Sequence, residues 1–231
     1  MERWIQEGIG ETRAIFPTGF HGLWIGHQDP EFRAILNSCN LCCPDGIAPI
    51  LISRLQGKRL SERVPGPDLF DEFMKLSAQH DYTNFLYGDS KVTLRQLERT
   101  LSGRFTSDLI VGTISPPFGA ISKLESERDI ELINAVCPDV LWVALGCPKQ
   151  EKWIARNVER LKVPIVVGVG AAFRFAAGIV SRAPECVQRV HLEWLWRLAV
   201  EPKKLWRRDL LQAPRFVAAA VSEALMIRNG E

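Results

Sequence analysis

The chain has 231 residues, 46% hydrophobic and 24% charged, with 17 Gly and 14 Pro. That suits one sizeable α/β domain or two small ones, and excludes wholesale disorder, collagen, a coiled coil and a multi-span membrane protein. Lys and Arg number 29 against 27 Asp and Glu, a formal charge of only +2, which argues against nucleic acid as the main partner.

In chain order, the apolar run Leu41–Cys43 reads as a strand, followed by the turn Pro44-Asp45-Gly46. Asp68 precedes Leu69-Phe70-Asp71-Glu72-Phe73 and reads as a helix N-cap. Asn84–Tyr87, Asp108–Gly112, Val140–Leu145 and Pro164–Val169 read as buried strands. Helical spacing marks Val92–Leu101 (Val92, Leu97 and Leu101 on its apolar face), Arg128–Val136 and Lys152–Leu161. Strand and helix alternating at this rhythm predict βαβ units and a mostly parallel sheet flanked by helices. After about Arg182 the strands stop and Trp, Arg, Lys and Leu dominate.

Ligands of such sheets bind where loops leave the carboxyl ends of the strands. That rule singles out Pro44–Gly46, Gly88-Asp89-Ser90, Gly146–Glu151 and Gly168–Phe173. Asp45 is the best candidate base, although Asp-Gly is also ordinary turn chemistry. In Gly146-Cys147-Pro148-Lys149-Gln150-Glu151, Pro148 suits the first helical turn, and free N–H groups beside Gly146 would favour an anion. Lys149 adds charge, and Gln150 both donates and accepts. Arg63, ahead of Val64-Pro65-Gly66-Pro67, has the fork that recognises phosphate or carboxylate. Gly168-Val169-Gly170 fails the fuller dinucleotide test, since Phe173 stands where the third glycine belongs. Neither P-loop nor Gly-x-Ser-x-Gly occurs, the four His lack ligand spacing, and Cys39-Asn-Leu-Cys42 has no matching pair. No metal and no cofactor are expected.

The near-neutral charge conceals an asymmetry. Residues 189–215 hold seven cations against three acids, leaving 22 cations against 24 acids elsewhere. Leu192, Leu195, Trp196 and Ala199 form an apolar stripe, and Leu205, Trp206 and Leu210 another. Basic, Trp-bearing amphipathic helices suit an anionic membrane surface, and packing on a core with a solvated basic face is the alternative. No apolar run reaches the ~20 residues of a spanning helix. Met1-Glu2-Arg3-Trp4 opens no signal-peptide core, so the expected location is cytoplasmic.

Taken together, these motifs resemble the WecG/TagA/CpsF family, glycosyltransferase family 26. The likeness runs from Asp29-Pro30-Glu31-Phe32 through Pro44-Asp45-Gly46-Ile47, Arg63–Leu69 and Ser115-Pro116-Pro117-Phe118-Gly119. It continues through Pro138–Glu151 to Leu192-Glu193-Trp194-Leu195, Glu201-Pro202 and Leu205-Trp206-Arg207-Arg208. The resemblance implies a Rossmann-like core over 1–182, its N-terminal unit shortened, and a basic helical membrane-binding appendage over 183–231. It implies an inverting hexosyltransferase moving N-acetylmannosamine, its uronic acid or another hexose from a UDP-sugar to a polyprenyl-diphosphate-linked sugar. The work belongs to cell-surface polysaccharide synthesis at the inner face of the bacterial plasma membrane, with a homo-oligomer left open. By the same resemblance Asp45 matches the general base, Arg63 and Gln150 match pocket residues, and Arg197, Lys204 and Arg207 match appendage cations near the lipid diphosphate.

Two positions depart from the family pattern. Pro17-Thr18-Gly19 stands where many members carry Thr-x-Asn, so Thr18 is the nearest equivalent of that binding motif. Phe173-Arg174-Phe175 stands where Phe-Asp-Phe is common, placing a reversed charge beside the expected pocket. Arg174 points either to a different donor, such as an acidic sugar, or to an inactive relative that only binds a UDP-sugar or lipid-linked sugar.

Overall fold

Runs of apolar residues pair into a six-stranded, all-parallel sheet flanked by helices. The computed structural model describes residues 1–229 apart from 9, 61, 106–108, 120 and 190–191; the side chains of 204, 207–209 and 223–229 also lie outside the description. The strands are β1 (Arg13–Thr18), β2 (Leu41–Pro44), β3 (Asn84–Gly88), β4 (Ile110–Ile114), β5 (Val140–Ala144) and β6 (Ile165–Gly168), in the order β2-β1-β6-β5-β3-β4. In register, Val140 lies beside Asn84 on one side and Ile165 on the other. Every residue of β3, β5 and β6 is buried, as expected of parallel strands covered on both faces. β4, at the sheet edge, is only half-buried and runs two residues beyond its expected end; Asp108, its expected start, lies outside the described residues.

The core forms around Trp142. Its ring is fully buried and meets Phe70 edge-on at 5.0 Å. Its indole N–H donates to Asn84 Oδ1 at 2.9 Å, and the Asn84 amide donates to Ser77 Oγ and to the carbonyls of Tyr82 and Leu109. A buried Asn is tolerated here because its polar atoms are answered.

Several helix starts differ from the sequence reading. Helix α5 (Gly66–His80) begins two residues before Asp68, so that carboxylate lies in the first turn and is not the cap. Helix α6 (Lys91–Arg104) is capped by Ser90, and its buried stripe is Thr93, Leu94, Leu97 and Leu101; Val92 is exposed, one position off the apolar face. Helix α7 (Lys123–Val136) starts before Arg128 because Ser122 and Glu125 form a reciprocal capping box. Helix α8 (Lys149–Asn157) opens at Lys149 with Pro148 as its cap, and ends before Leu161.

The chain resolves into two compact units, and the division differs from a cut at 182/183. The first comprises Met1–Phe16, Ile35–Cys42 and Gly66–Ile179; the second comprises Pro17–Ala34, Cys43–Pro65 and Val180–Glu231. The tail therefore shares its unit with two earlier segments. Phe216, on α13 (Ala213–Asn229), packs against Phe20 and Trp24 of α2 (Phe20–Gln28), with ring centroids 6.0 and 6.5 Å away. Leu205, expected on an outward stripe, is buried within this unit, whereas Trp206 and Leu210 are exposed. On α11 (Glu193–Val200), Trp194 and Leu195 are exposed too. Among the described residues, no helix is long and apolar enough to cross a membrane.

Candidate active site

In the first unit the strand order places a topological switch between β3 and β5. The chain leaves β3 towards β4 on one side and leaves β5 towards β6 on the other, which opens a crevice at their carboxyl ends. Asp89 is the hub of that crevice. Its backbone N–H donates to Ala144 O at 3.0 Å, and its own carbonyl accepts from Ser115 Oγ at 2.8 Å. Its Oδ1 accepts from Ser90 N and from Thr93 Oγ1 at 2.7 and 2.8 Å. Its Oδ2 faces Arg174 Nε at 3.3 Å, so the reversed charge at 174 is matched by an acid on the neighbouring loop.

Gln150 is placed differently from an open pocket residue. It is 3% exposed, and its Oε1 accepts from the N–H groups of Gly146 (3.2 Å) and Gly170 (2.9 Å). Its amide nitrogen donates to Glu151 Oε1 at 3.0 Å, which fixes which way the amide points. Gln150 thus staples the loops after β5 and β6. The Gly-x-Gly pattern answers to this staple rather than to a dinucleotide, since a Cβ on Gly168 would lie 3.1 Å from the Gln150 amide nitrogen. The Gly146 N–H, expected to face an anion, is therefore engaged, and Gln150 N donates back to Gly146 O. Lys149 stays exposed at the mouth of the loop. Glu151 is buried beneath it. Desolvation pushes its carboxyl up to about 7, against hydrogen bonds from its backbone, Gln150 and Cys147 that favour the ionised form.

In the second unit three of the expected residues come together around the end of β2. Asp45 N–H donates to Thr18 O at 3.0 Å, and Val64 N–H donates to Pro44 O at 2.8 Å, laying the Arg63 segment along the strand end. Thr18 itself is 5% exposed. Gly19 is required by close approach, because a Cβ there would stand 2.8 Å from the Asp45 carbonyl oxygen. Asp45 is half-buried on this braced turn.

Arg63 is drawn into an ion-pair chain. Its Nη1 meets Glu193 Oε2 at 3.3 Å, its Nη2 donates to Gln188 O at 3.3 Å, and Arg182 Nε meets the other Glu193 oxygen at 3.5 Å. Arg197 lies half-buried on α11, and the side chains of Lys204 and Arg207 lie outside the described residues.

A family-wide sequence model described as the glycosyl transferase WecG/TagA/CpsF family matches residues 1–230. The chain belongs to that family. It is a glycosyltransferase. A Bacillus spizizenii protein named N-acetylglucosaminyldiphosphoundecaprenol N-acetyl-beta-D-mannosaminyltransferase is 33% identical over 195 residues, covering 84% of this chain and 73% of the relative. Proteins of the same name from Bacillus subtilis (31% identical, 85% and 74% covered) and Staphylococcus aureus (27%, 78% and 68%) also match. The Gly88-Asp89-Ser90 loop is one that strand-end position singles out, and Ser115 lies in a family motif, but sequence reasoning assigned neither Asp89 nor Ser115 a role.

Proposed function

We propose that this chain transfers N-acetylmannosamine, its uronic acid or another hexose from a UDP-sugar to a polyprenyl-diphosphate-linked sugar, with inversion. The relatives' shared name supports a lipid-diphosphate-linked N-acetylglucosamine as acceptor class. Asp45 is the general base. The acceptor hydroxyl oxygen attacks the anomeric carbon while its proton passes to the Asp45 carboxylate. The bond from that carbon to the diphosphate oxygen breaks, and UDP leaves with the electron pair. The observation carrying this reading is the braced turn at Asp45, whose backbone is held by Thr18 O and backed by Gly19.

Leaving-group charge needs cations or free donors. With Gly146 and Gly170 N–H taken by Gln150, Lys149 and Arg174 are the groups for that task, and Gln150 and Glu151 position the loops. The Asp89 partner of Arg174 supports an intact site rather than a silent relative. Arg63 positions the Asp45 turn and the tail, while the family resemblance assigns Arg197, Lys204 and Arg207 to the lipid diphosphate. On this reading the catalytic residues fall within 1–182 and the membrane-binding ones within 183–231, functional segments that cut across the two compact units, and the chain is peripheral on the inner leaflet. A panel of radiolabelled UDP-hexoses with a short-chain lipid-diphosphate N-acetylglucosamine acceptor tests the reading. One donor yielding labelled lipid product is expected; binding without product across the panel overturns it.

A further inference from the structure

The second unit carries another exposed feature, far in sequence from the basic tail. Helix α4 (Ile47–Leu55) buries Pro49, Ile50 and Ser53, and its opposite side leaves Leu51 and Leu55 each 49% exposed. Arg54 lies between them at helical spacing, on the same outward face. The chain then turns through Gln56 and Gly57 to Lys58, Arg59 and Leu60, and Leu60 is 40% exposed. Arg54, Gly57, Lys58, Arg59 and Leu60 line one open groove.

Two facts separate this face from an ordinary solvated helix. From Gly46 to Ser61 the sequence holds three cations and no acid. Among the described residues, none of those cations forms an ion pair, whereas Arg63 and Arg182 nearby in the same unit are both paired. Exposed leucines interleaved with unpaired Lys and Arg match a bilayer interface, where apolar tips enter the headgroup boundary and long cationic stems reach phosphates.

We propose that the tip of α4 with residues 56–60 is a second docking element for an anionic lipid leaflet, separate from the 183–231 tail. The occupant is the membrane surface itself, because charge and apolar exposure are complementary to anionic headgroups over acyl chains. This rests on the reading of the chain as acting on a membrane-borne acceptor. Each basic residue near an anionic leaflet is worth about fivefold in partitioning, so reversing three removes at least ~100-fold.

The test sediments the full chain with vesicles of equimolar phosphatidylglycerol and phosphatidylcholine, and with phosphatidylcholine alone. The expected result is strong binding to the anionic vesicles, weakened about 100-fold in R54E/K58E/R59E, which keeps its turnover of a water-soluble short-chain acceptor. Unchanged binding by that variant overturns the inference and leaves the membrane reading standing. Failure of the wild type to bind anionic vesicles overturns both. A variant that changes the oligomeric state by light scattering, with vesicle binding intact, assigns the face to a second copy and overturns the proposal. Should the triple variant misfold, acetylation of the wild type decides. Lys58 protected by anionic but not neutral vesicles supports the proposal, and equal labelling overturns it.

Discussion

Glu151→Gln isolates the cost of ionising an acid beneath the β5 loop. The side chain is 3% exposed, and burial raises its carboxyl to about 7 from the ordinary glutamate value of 4.5. An acid whose folded value lies above its unfolded one binds more protons when folded. Its stabilising contribution is complete below the unfolded value and is lost as pH rises towards the folded value. A separation of roughly two and a half units corresponds to about 3 kcal/mol, most of it lost between pH ~4.5 and ~7. Gln cannot ionise, yet its Oε1 still accepts from the Gln150 amide, so the staple survives. Urea denaturation of both proteins from pH 5 to pH 8 measures the difference. The variant gains on the wild type by about 2–3 kcal/mol across that window, and the gain levels off above pH ~8. A stability difference that stays flat with pH refutes the assignment of a buried, high-pKa carboxyl at this position.

Further outcomes follow from the same contacts. Gly19→Ala forces a Cβ against the Asp45 carbonyl oxygen, now 2.8 Å away. Displacing the turn by a fraction of an ångström is expected to lower kcat ten- to 100-fold or roughly so, measured by product formation at saturating donor. Arg63→Lys keeps the charge but not the fork that meets Glu193 and Gln188 together, and thermal melting is expected to show a loss of about 1–2 kcal/mol. Arg174→Asp, which restores the acid common in the family, sets two carboxylates face to face across the Asp89 contact. It is expected to cost about 1 kcal/mol in a denaturant titration, with Asp89→Asn in the same chain recovering part of it.

The buried strands were legible because parallel strands covered on both faces need unbroken apolar runs, as in Val140–Ala144. Helix starts were less so. Pattern reading finds where an apolar stripe begins, but Ser122 with Glu125 starts α7 ahead of its stripe. Val92 was misassigned because one residue turns a side chain about 100° around a helix, which carried it off the buried face. Loop position singled out Asp45, Gly146 and Gln150 as candidates, yet not the staple that Gln150 forms. Its bonds to Gly146 and Gly170 join residues separated in sequence by β6, and no local spacing reveals such a partner. The Gly88-Asp89-Ser90 loop was legible too, but the partners of Asp89 were not, since its contacts to Ala144, Ser115 and Arg174 exist only once the strand order is known. The tail's charge asymmetry was plain, while the packing of Phe216 was not, because its neighbours Phe20 and Trp24 come from an early segment of the chain.

The central claim is that Asp45 takes the acceptor proton. Its most direct test is single-turnover transfer by Asp45→Asn, using the productive UDP-hexose and the short-chain lipid-diphosphate acceptor. Asn preserves the backbone bond from residue 45 to Thr18 O, so the melting temperature should stay near that of the wild type. The account predicts a rate lowered by about 10²- to 10⁴-fold with donor affinity unchanged. Transfer at close to the wild-type rate would contradict it.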